Sequence, residues 1–325
     1  MRLDGRDPEA IERAARRLAD GELVAFPTET VYGLGARADD DAAVAKVFAA
    51  KGRPADHPLI VHGAHLDALR PFVAEVPTVA QRLIDAFWPG PLTVIVPRAG
   101  ALGAAAGGQS TIALRCPAHP VARALLDAAL RLGVAGVAAP SANRFGRVSP
   151  TRAEHVEAEF GDEVPVLDGG SCDLGIESTI IDCTRGHAVL LRPGTLDRAA
   201  IETAAGEPLR DRDAGAPRAS GTLAAHYAPK ARLRLMRAEM LDAALSMLGR
   251  EPLRLAVYSR SNRRGGGPGM GHRALPAGAM GTAHELFALL GEVVALGVQI
   301  IWVEEPPPGP EWDGVRDRLE RAAAA

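Results

Sequence analysis

The sequence contains little cysteine, lysine or aromatic residue, and it lacks long apolar runs. Three of its 325 residues are cysteines and 4% are aromatic. Cys116, Cys172 and Cys183 show no C-x-x-C spacing, which argues against a disulfide framework and favours a reduced, cytoplasmic protein. No apolar run reaches the roughly 18 residues that span a bilayer, and the charged N-terminus is unlike a signal peptide. We therefore expect no membrane association.

The charge balance gives no sign of a nucleic-acid-binding surface. The net charge is -3, so no global basic field is present. Of the 37 basic residues only Lys46, Lys51 and Lys230 are lysines. A lysine that persists in so arginine-rich a sequence suggests a need for a compact point charge rather than a planar fork.

The most unusual segment is a polar string near the N-terminus. Residues 26–35 read F-P-T-E-T-V-Y-G-L-G, and K-G-R-P follows at 51–54. Hydroxyls, glycines and two cations suit an anionic ligand held against backbone N–H groups. The alternative is that Lys51 and Arg53 only complement a helix C-terminus and contact solvent.

Further hydroxyls and cations follow predicted strands. P-S-A-N at 140–143 ends an apolar strand, where α/β sheets often bind ligands, although an ordinary turn is the alternative. Thr111 and Arg115 share one face of a strand by their even spacing. The histidines and cysteines have no metal-type spacing, and neither G-x-S-x-G nor a Walker A string occurs. The substrate would therefore supply the nucleophile, and the protein would supply position and charge.

The order of elements predicts an α/β protein with a mixed sheet. Asp7 and Pro8 begin a helix, Asp41 caps a second helix, and Thr151 with Glu154 suggests a capping box. We expect a catalytic domain at 1–206, a linker at 207–230 and a smaller Rossmann-like α/β domain at 231–325. The segment 263–267, R-R-G-G-G, is predicted to be a loop and is not a dinucleotide fingerprint.

Several strings together resemble the YrdC-type threonylcarbamoyl-AMP synthases. They are P-T-E-T-V-Y-G-L at 27–34, K-G-R-P at 51–54, F-W-P-G-P-L-T at 87–93, P-S-A-N at 140–143, E-S-T-I at 177–180 and L-R-P-G at 191–194. Their order and spacing match over about residues 8–205. H-Y-A-P at 226–229 and the C-terminal domain resemble the long, two-domain branch, which implies the twisted mixed sheet of the YrdC-like fold.

The resemblance implies a nucleotidyltransferase that joins L-threonine, bicarbonate and ATP. Its products would be threonylcarbamoyl-AMP and pyrophosphate, with Mg²⁺ bound through the phosphates and no metal held by protein side chains. Downstream tRNA threonylcarbamoyl transferase proteins would use the intermediate for threonylcarbamoyladenosine in tRNA, and contact with tRNA is conceivable.

The resemblance also assigns residues, with Lys51 and Arg53 as the catalytic pair. It implies that threonine is held by Thr30, His62, Arg115 and Ser178. ATP would contact Lys51, Arg53, His57, Thr111, Ser141, Asn143, Ser149, Arg192, His226 and Tyr227. The linker would be a lid that excludes water from a hydrolysable anhydride. His57 replaces the asparagine usual in the family, and A-S-G-T at 219–222 replaces Pro-Gly-Met, so both contacts are open.

Two other functions remain as alternatives. A carbamoyl-transfer domain of the hydrogenase-maturation kind shares the fold, but it carries an acylphosphatase domain and cysteine-rich zinc fingers, which this sequence lacks. A non-catalytic RNA-binding module would use the basic concavity, yet aromatic residues for stacking on bases are sparse.

Overall fold

A computed structural model describes residues 1–100, 103–229, 231–248, 254–261, 270–295 and 297–325. Lys230 and the predicted 263–267 loop lie outside these residues. The α-helices are α1 Pro8–Ala19, α2 Asp41–Lys51, α3 Leu66–Leu69, α4 Thr78–Phe87, α5 Pro120–Arg131, α6 Ala153–Phe160, α7 Arg198–Ala205, α8 Ala238–Met247, α9 Ala279–Ala295 and α10 Asp313–Ala323.

The strands fall into two sheets. They are β1 Arg2–Asp4, β2 Val24–Phe26, β3 Gly33–Arg37, β4 Ile60–His62, β5 Leu92–Pro97, β6 Thr111–Arg115, β7 Val137–Ala138, β8 Val166–Asp168, β9 Thr179–Asp182, β10 Val189–Arg192, β11 Arg210–Asp211, β12 Arg232–Met236, β13 Leu255–Ser259, β14 Met270–Ala274 and β15 Ile300–Glu304.

The helix ends test the capping predictions. Asp7 caps α1 by accepting from Glu9 N, with Pro8 at the first helical position, as expected. The cap of α2 is Asp40 and not Asp41, because Asp40 accepts from Ala42 N and Ala43 N. The capping box at Thr151 does not form: α6 begins at Ala153, and its N-cap residue makes no side-chain cap hydrogen bond.

The larger sheet is mixed, as predicted. Its eleven strands run in the order β1-β8-β2-β3-β7-β4-β6-β5-β9-β10-β11. Parallel pairs such as β4–β6 and β5–β9 alternate with antiparallel pairs such as β5–β6 and β9–β10. One apolar cluster packs around Leu34, Val61 and Leu114, and a second joins α1 and α5 to the sheet through Leu18 and Leu125. Burial on both sides explains the short, apolar strands.

The sheet brings distant parts of the chain to one place. In the parallel β4–β6 pair, His62 lies opposite Arg115 at the carboxyl ends of both strands. Ser178 immediately precedes β9, which pairs with β5, and Arg192 ends β10 beside it. Loops at these strand ends are where α/β sheets bind ligands.

The smaller sheet is entirely parallel. Its order is β12-β15-β13-β14; α8 and α9 lie in the connections, and α10 follows the last strand. A small α/β domain was expected here, but β14 was not predicted. Its sequence, M-G-H-R-A, has neither an apolar run nor an alternating apolar face.

The described chain divides into two compact units. The first unit contains 1–145 and 149–222, and the second contains 146–148 and 223–325. Most of the predicted linker, up to Thr222, therefore belongs to the first unit, where β11 pairs with β10. Within the described ranges, no helix combines the length and apolarity needed to cross a membrane.

Candidate active site

Arg115 is a buried cation of the first unit that is held by three hydrogen bonds. It ends β6 and is 3% exposed. Its Nη2 donates to Glu29 Oε1 at 2.6 Å, Nη1 donates to Thr30 Oγ1 at 2.9 Å, and Nε donates to Gly90 O at 3.2 Å. Arg115 and Thr30, both assigned to threonine by the resemblance, are therefore in direct contact.

Glu29 is a buried residue that the motif analysis did not single out. It is 5% exposed, and its second oxygen accepts from Ala118 N at 3.0 Å. The sequence carried one signal: this carboxylate is the sole acidic residue in a string of hydroxyls and glycines. Its partner is 86 positions away, so local spacing could not reveal the pair.

His62 lies at the end of β4 with a neutral ring. Its Nδ1 is 3.2 Å from Ile60 O, and its ring meets Phe26 edge-on with centroids 6.3 Å apart. Burial, followed by the charge of Arg115, lowers the pKa of His62 to about 3. At neutral pH the imidazole adds no charge beside Arg115.

Ser178 joins Arg192 to the start of β9. Arg192 Nε and Nη2 donate to Ser178 O at 3.0 and 2.9 Å, and Nη2 lies 3.2 Å from Ser178 Oγ. Ser178 Oγ also lies 2.7 Å from Thr93 Oγ1. Thr93 is fully buried and was not predicted as part of the site.

Lys51 is buried at the end of α2 and bound by carbonyl oxygens. Its Nζ donates to Ser141 O at 2.6 Å and to Asn143 O. Phe145 N donates back to Lys51 O at 2.8 Å. Gly52 has φ 62°, in the left-handed region where glycine costs least, and it ends the helix directly after Lys51. Lys51, Ser141 and Asn143 are thus brought together as predicted.

Burial dominates the electrostatics of Lys51. Lys51 is only 3% exposed, and the charge of Arg53 acts on its amine. Desolvation, followed by the repulsion of Arg53, holds the pKa of Lys51 well below its usual range. An anion bound beside this amine would raise the pKa of Lys51 again.

Arg53 and His57 both contact Phe145. The guanidinium carbon of Arg53 lies 5.7 Å from the ring centroid of Phe145, and the His57 ring meets the same ring edge-on at 5.4 Å. Arg53 Nη2 also donates to Pro58 O at 3.0 Å. Partial burial and then Arg53 lower the pKa of His57. His57 is therefore placed beside a predicted catalytic cation.

The segment before Thr222 contacts two of the predicted cations. Ser220 O accepts from Arg192 Nη1 at 3.0 Å, and Ser220 Oγ lies 3.4 Å from Arg53 Nη2. Arg218 pairs with Asp56 at 2.7 Å. This part of the predicted linker is packed on the first unit.

The other predicted nucleotide contacts are more dispersed. Ser149 is buried and donates a short hydrogen bond of 2.5 Å to Glu177 Oε1, while Thr111 is half-buried where β6 begins. His226 and Tyr227 belong to the second unit. There they meet edge-on at 4.2 Å, and Tyr227 contacts Phe287 and lies under Arg318. The sequence analysis assigned His226 and Tyr227 to the nucleotide site. In the structure Tyr227 contacts residues of α9 and α10.

Metal ligands are not clustered. In the part of the chain that the structure describes, no group of three His, Cys, Asp or Glu side chains has a metal-binding arrangement. All three cysteines are buried and free. The site therefore offers hydroxyls, carbonyls and cations.

Two family models match the chain in succession. The Sua5_yciO_yrdC model, described as "Telomere recombination", matches residues 16–194. A second model, described as "Threonylcarbamoyl-AMP synthase, C-terminal domain", matches residues 195–324. Together they span both compact units.

Two curated relatives carry the same name. Threonylcarbamoyl-AMP synthase of Pyrococcus abyssi is 44% identical over 68% of this chain and 66% of its own length. That of Bacillus subtilis is 43% identical over 71% of this chain and 67% of its own. The aligned region thus spans about two thirds of these relatives.

A solved structure covers more of the fold. The crystal structure of P. abyssi Sua5 complexed with L-threonine superposes with a TM-score of 0.89 at 36% identity, covering 99% of this chain and 97% of that one. The resemblance read from the motifs is confirmed: the chain belongs to the two-domain branch of the Sua5–YciO–YrdC family.

Proposed function

We propose that the protein is an L-threonylcarbamoyladenylate synthase that uses L-threonine, bicarbonate and ATP. Relatives of that name at 43–44% identity support the activity, and the P. abyssi protein solved with L-threonine supports the substrate. The observation that carries the proposal is the Ser178–Arg192 contact. Ser178 is proposed to bind threonine, and Arg192 is proposed to bind the triphosphate. Their hydrogen bond would therefore place the two substrates next to each other.

The proposed reaction needs no protein nucleophile. Bicarbonate takes up a proton and loses water to give CO2. The threonine amine then forms a C–N bond to this CO2 and releases a proton, which leaves a carbamate. A carbamate oxygen then attacks the α-phosphorus of ATP while the bond to pyrophosphate breaks. Lys51, Arg53 and Arg192 would neutralise the charge that develops on the departing pyrophosphate. Mg²⁺ would enter with ATP, bound by its phosphates.

Threonine would bind at Arg115, Thr30, His62 and Ser178. Arg115 is the natural partner of its carboxylate, because a guanidinium fork matches carboxylate geometry. Neutral His62 can take part in hydrogen bonding without adding a competing charge. His57, Thr111, Ser141, Asn143 and Ser149 would line the nucleotide site. The family resemblance assigns His226 and Tyr227 to the nucleotide as well.

The segment 207–222 would act as a lid over the triphosphate. Its Ser220 already contacts Arg53 and Arg192, so ATP entry would exchange these hydrogen bonds for phosphate contacts. Exclusion of water would protect the mixed anhydride.

The product would serve threonylcarbamoyladenosine formation in tRNA. The same proposal includes use of the product by downstream tRNA threonylcarbamoyl transferase proteins and contact of the protein with tRNA. Three free, buried cysteines agree with a cytoplasmic location.

An assay of pyrophosphate release tests the activity. Purified protein should convert ATP to an AMP-containing product and pyrophosphate only when threonine and bicarbonate are both present. Pyrophosphate release that does not depend on threonine would contradict the proposed reaction.

A further inference from the structure

We infer that Glu29 is a positioning residue for threonine, acting through Arg115; this rests on the proposed role of Arg115 in the synthase. The dipeptide Glu29–Thr30 binds both terminal nitrogens of one guanidinium, through Glu29 Oε1 at 2.6 Å and Thr30 Oγ1 at 2.9 Å. Gly90 O accepts from the third nitrogen at 3.2 Å. The plane of the guanidinium is thereby fixed from three directions.

The remaining donors match a carboxylate. A guanidinium has five N–H groups, and the three hydrogen bonds made within the described chain leave one N–H on each terminal nitrogen. One N–H on each terminal nitrogen is a set of donors from which the two oxygens of a carboxylate can accept. An amino acid carboxylate is therefore the ligand class that this pre-oriented fork suits.

Glu29 is itself fixed in place. Its Oε2 accepts from Ala118 N at 3.0 Å, in the loop that follows β6, and Leu174 N donates to its backbone oxygen at 2.8 Å. Both members of the Glu29–Arg115 pair are nearly fully buried, so their attraction is little screened. A guanidinium held so firmly loses little freedom when the ligand binds.

The carboxylate also sets the charge of the threonine site. With Glu29 ionised, the pair is neutral before threonine arrives, and Arg115 has no uncompensated charge with which to attract phosphate or other anions. Without the carboxylate, a buried cation would be left unbalanced. Glu29 would thus favour a bidentate carboxylate over anions that respond mainly to charge.

The alternative is that Glu29 only stabilises the fold. Glu29→Gln separates the two roles, because it retains an acceptor for Ala118 N while removing the charge. Asp182→Asn is the matched control: Asp182 is also fully buried, pairs with Arg185 at 3.0 Å and accepts from a backbone N–H.

Steady-state kinetics provide the test. In Glu29→Gln, the KM for threonine should rise about tenfold, equivalent to about 1.4 kcal/mol, while the KM for ATP and kcat change less than about threefold. Inorganic phosphate should become competitive with threonine. Glu29→Asp should recover part of the loss, and it replaces Glu29→Gln as the test if the latter does not fold. Asp182→Asn should lower Tm without changing the KM for threonine.

A double-mutant cycle with Arg115→Ala identifies the route of the effect. If Glu29 acts through Arg115, Glu29→Gln should change the threonine KM less than about twofold in the Arg115→Ala background. Additive effects, or an unchanged threonine KM in Glu29→Gln and Glu29→Asp alongside a raised KM in Arg115→Ala, would overturn the inference. An unchanged threonine KM in Arg115→Ala would instead refute the proposed role of Arg115, and the inference with it.

Discussion

Two buried cations of the first unit are held by opposite kinds of partner. Arg115 donates to the carboxylate of Glu29, whereas Lys51 donates to the carbonyl oxygens of Ser141 and Asn143. A carboxylate cancels the charge of its partner, while a carbonyl dipole leaves a full positive charge if the amine is protonated. The first arrangement suits a monoanionic carboxylate recognised by shape, and the second suits phosphates with several negative charges.

The surroundings extend this contrast. His62 is kept neutral beside Arg115, but Lys51 lies near the second cation Arg53, which further lowers the pKa of Lys51. The region of Arg115 therefore approaches neutrality, whereas the region of Lys51 brings two cations together, with Glu159 and Glu177 opposing the effect of Arg53 on Lys51. Two substrates of different charge could be sorted this way within one site.

The largest effect should come from removing the two cations of the K-G-R-P string. Lys51→Ala and Arg53→Ala should each reduce kcat/KM about 100-fold or more, because each would remove charge stabilisation at the departing pyrophosphate. Both variants should stay folded by circular dichroism. Lys46→Ala is the control for Lys51: it is on the same helix and also donates to a backbone carbonyl, that of Gly21. Wild-type turnover in the Lys51 and Arg53 variants would show that this string is structural.

A smaller effect should appear in stability at mildly acidic pH. The pKa of His62 is lowered from 6.5 to about 3 in the folded protein. Below pH 6.5 the unfolded chain binds a proton that the native ring excludes, so stability falls as the pH drops. The free energy of unfolding should fall by about 2 kcal/mol between pH 7.5 and pH 5.

Denaturant unfolding at several pH values measures the His62 contribution. His62→Gln should flatten the pH dependence in that window, while the same substitution at half-buried His187 controls for loss of an imidazole. Parallel profiles for His62→Gln and wild type would indicate that the ring is not kept neutral by burial beside Arg115.

The smallest expected effect is the uptake of a fraction of a proton when ATP binds. Because the pKa of Lys51 is depressed by burial and by Arg53, a nearby triphosphate should raise it again, and ATP binding should take up protons. Calorimetric titrations in two buffers of different ionisation enthalpy would measure this uptake. It should vanish in Lys51→Met and persist in Lys46→Met. Equal apparent enthalpies in both buffers for the wild type would contradict an amine that titrates on binding.

Sequence patterns predicted the parts that depend on local spacing. Apolar strands such as β5 and β9, the Asp7 cap and the mixed α/β class all follow from short-range signals. The composition of the K-G-R-P and P-S-A-N strings marks both as site segments, and the structure joins them through Lys51. Strand β3 was missed because its glycines read as a ligand loop.

Long-range chemistry could not be predicted in the same way. Glu29 meets Arg115 across 86 positions, and Thr93 meets Ser178 across 85. Neither pair leaves a periodic signal, since their proximity depends on strand order. The Asp40 cap and the absent box at Thr151 show that even helix ends shift by a residue or more when tertiary contacts decide.

The second compact unit includes a short segment from the middle of the sequence. Residues 146–148 leave the first unit to join the second, where Ala228 N donates to Gly146 O and Arg147 forms a bridge with Ala228. A gene fragment starting at residue 223 would therefore encode an incomplete domain. If related proteins exchanged their C-terminal halves, residues 146–148 would have to remain compatible with the new second unit. The two halves of the sequence are therefore expected to be inherited together.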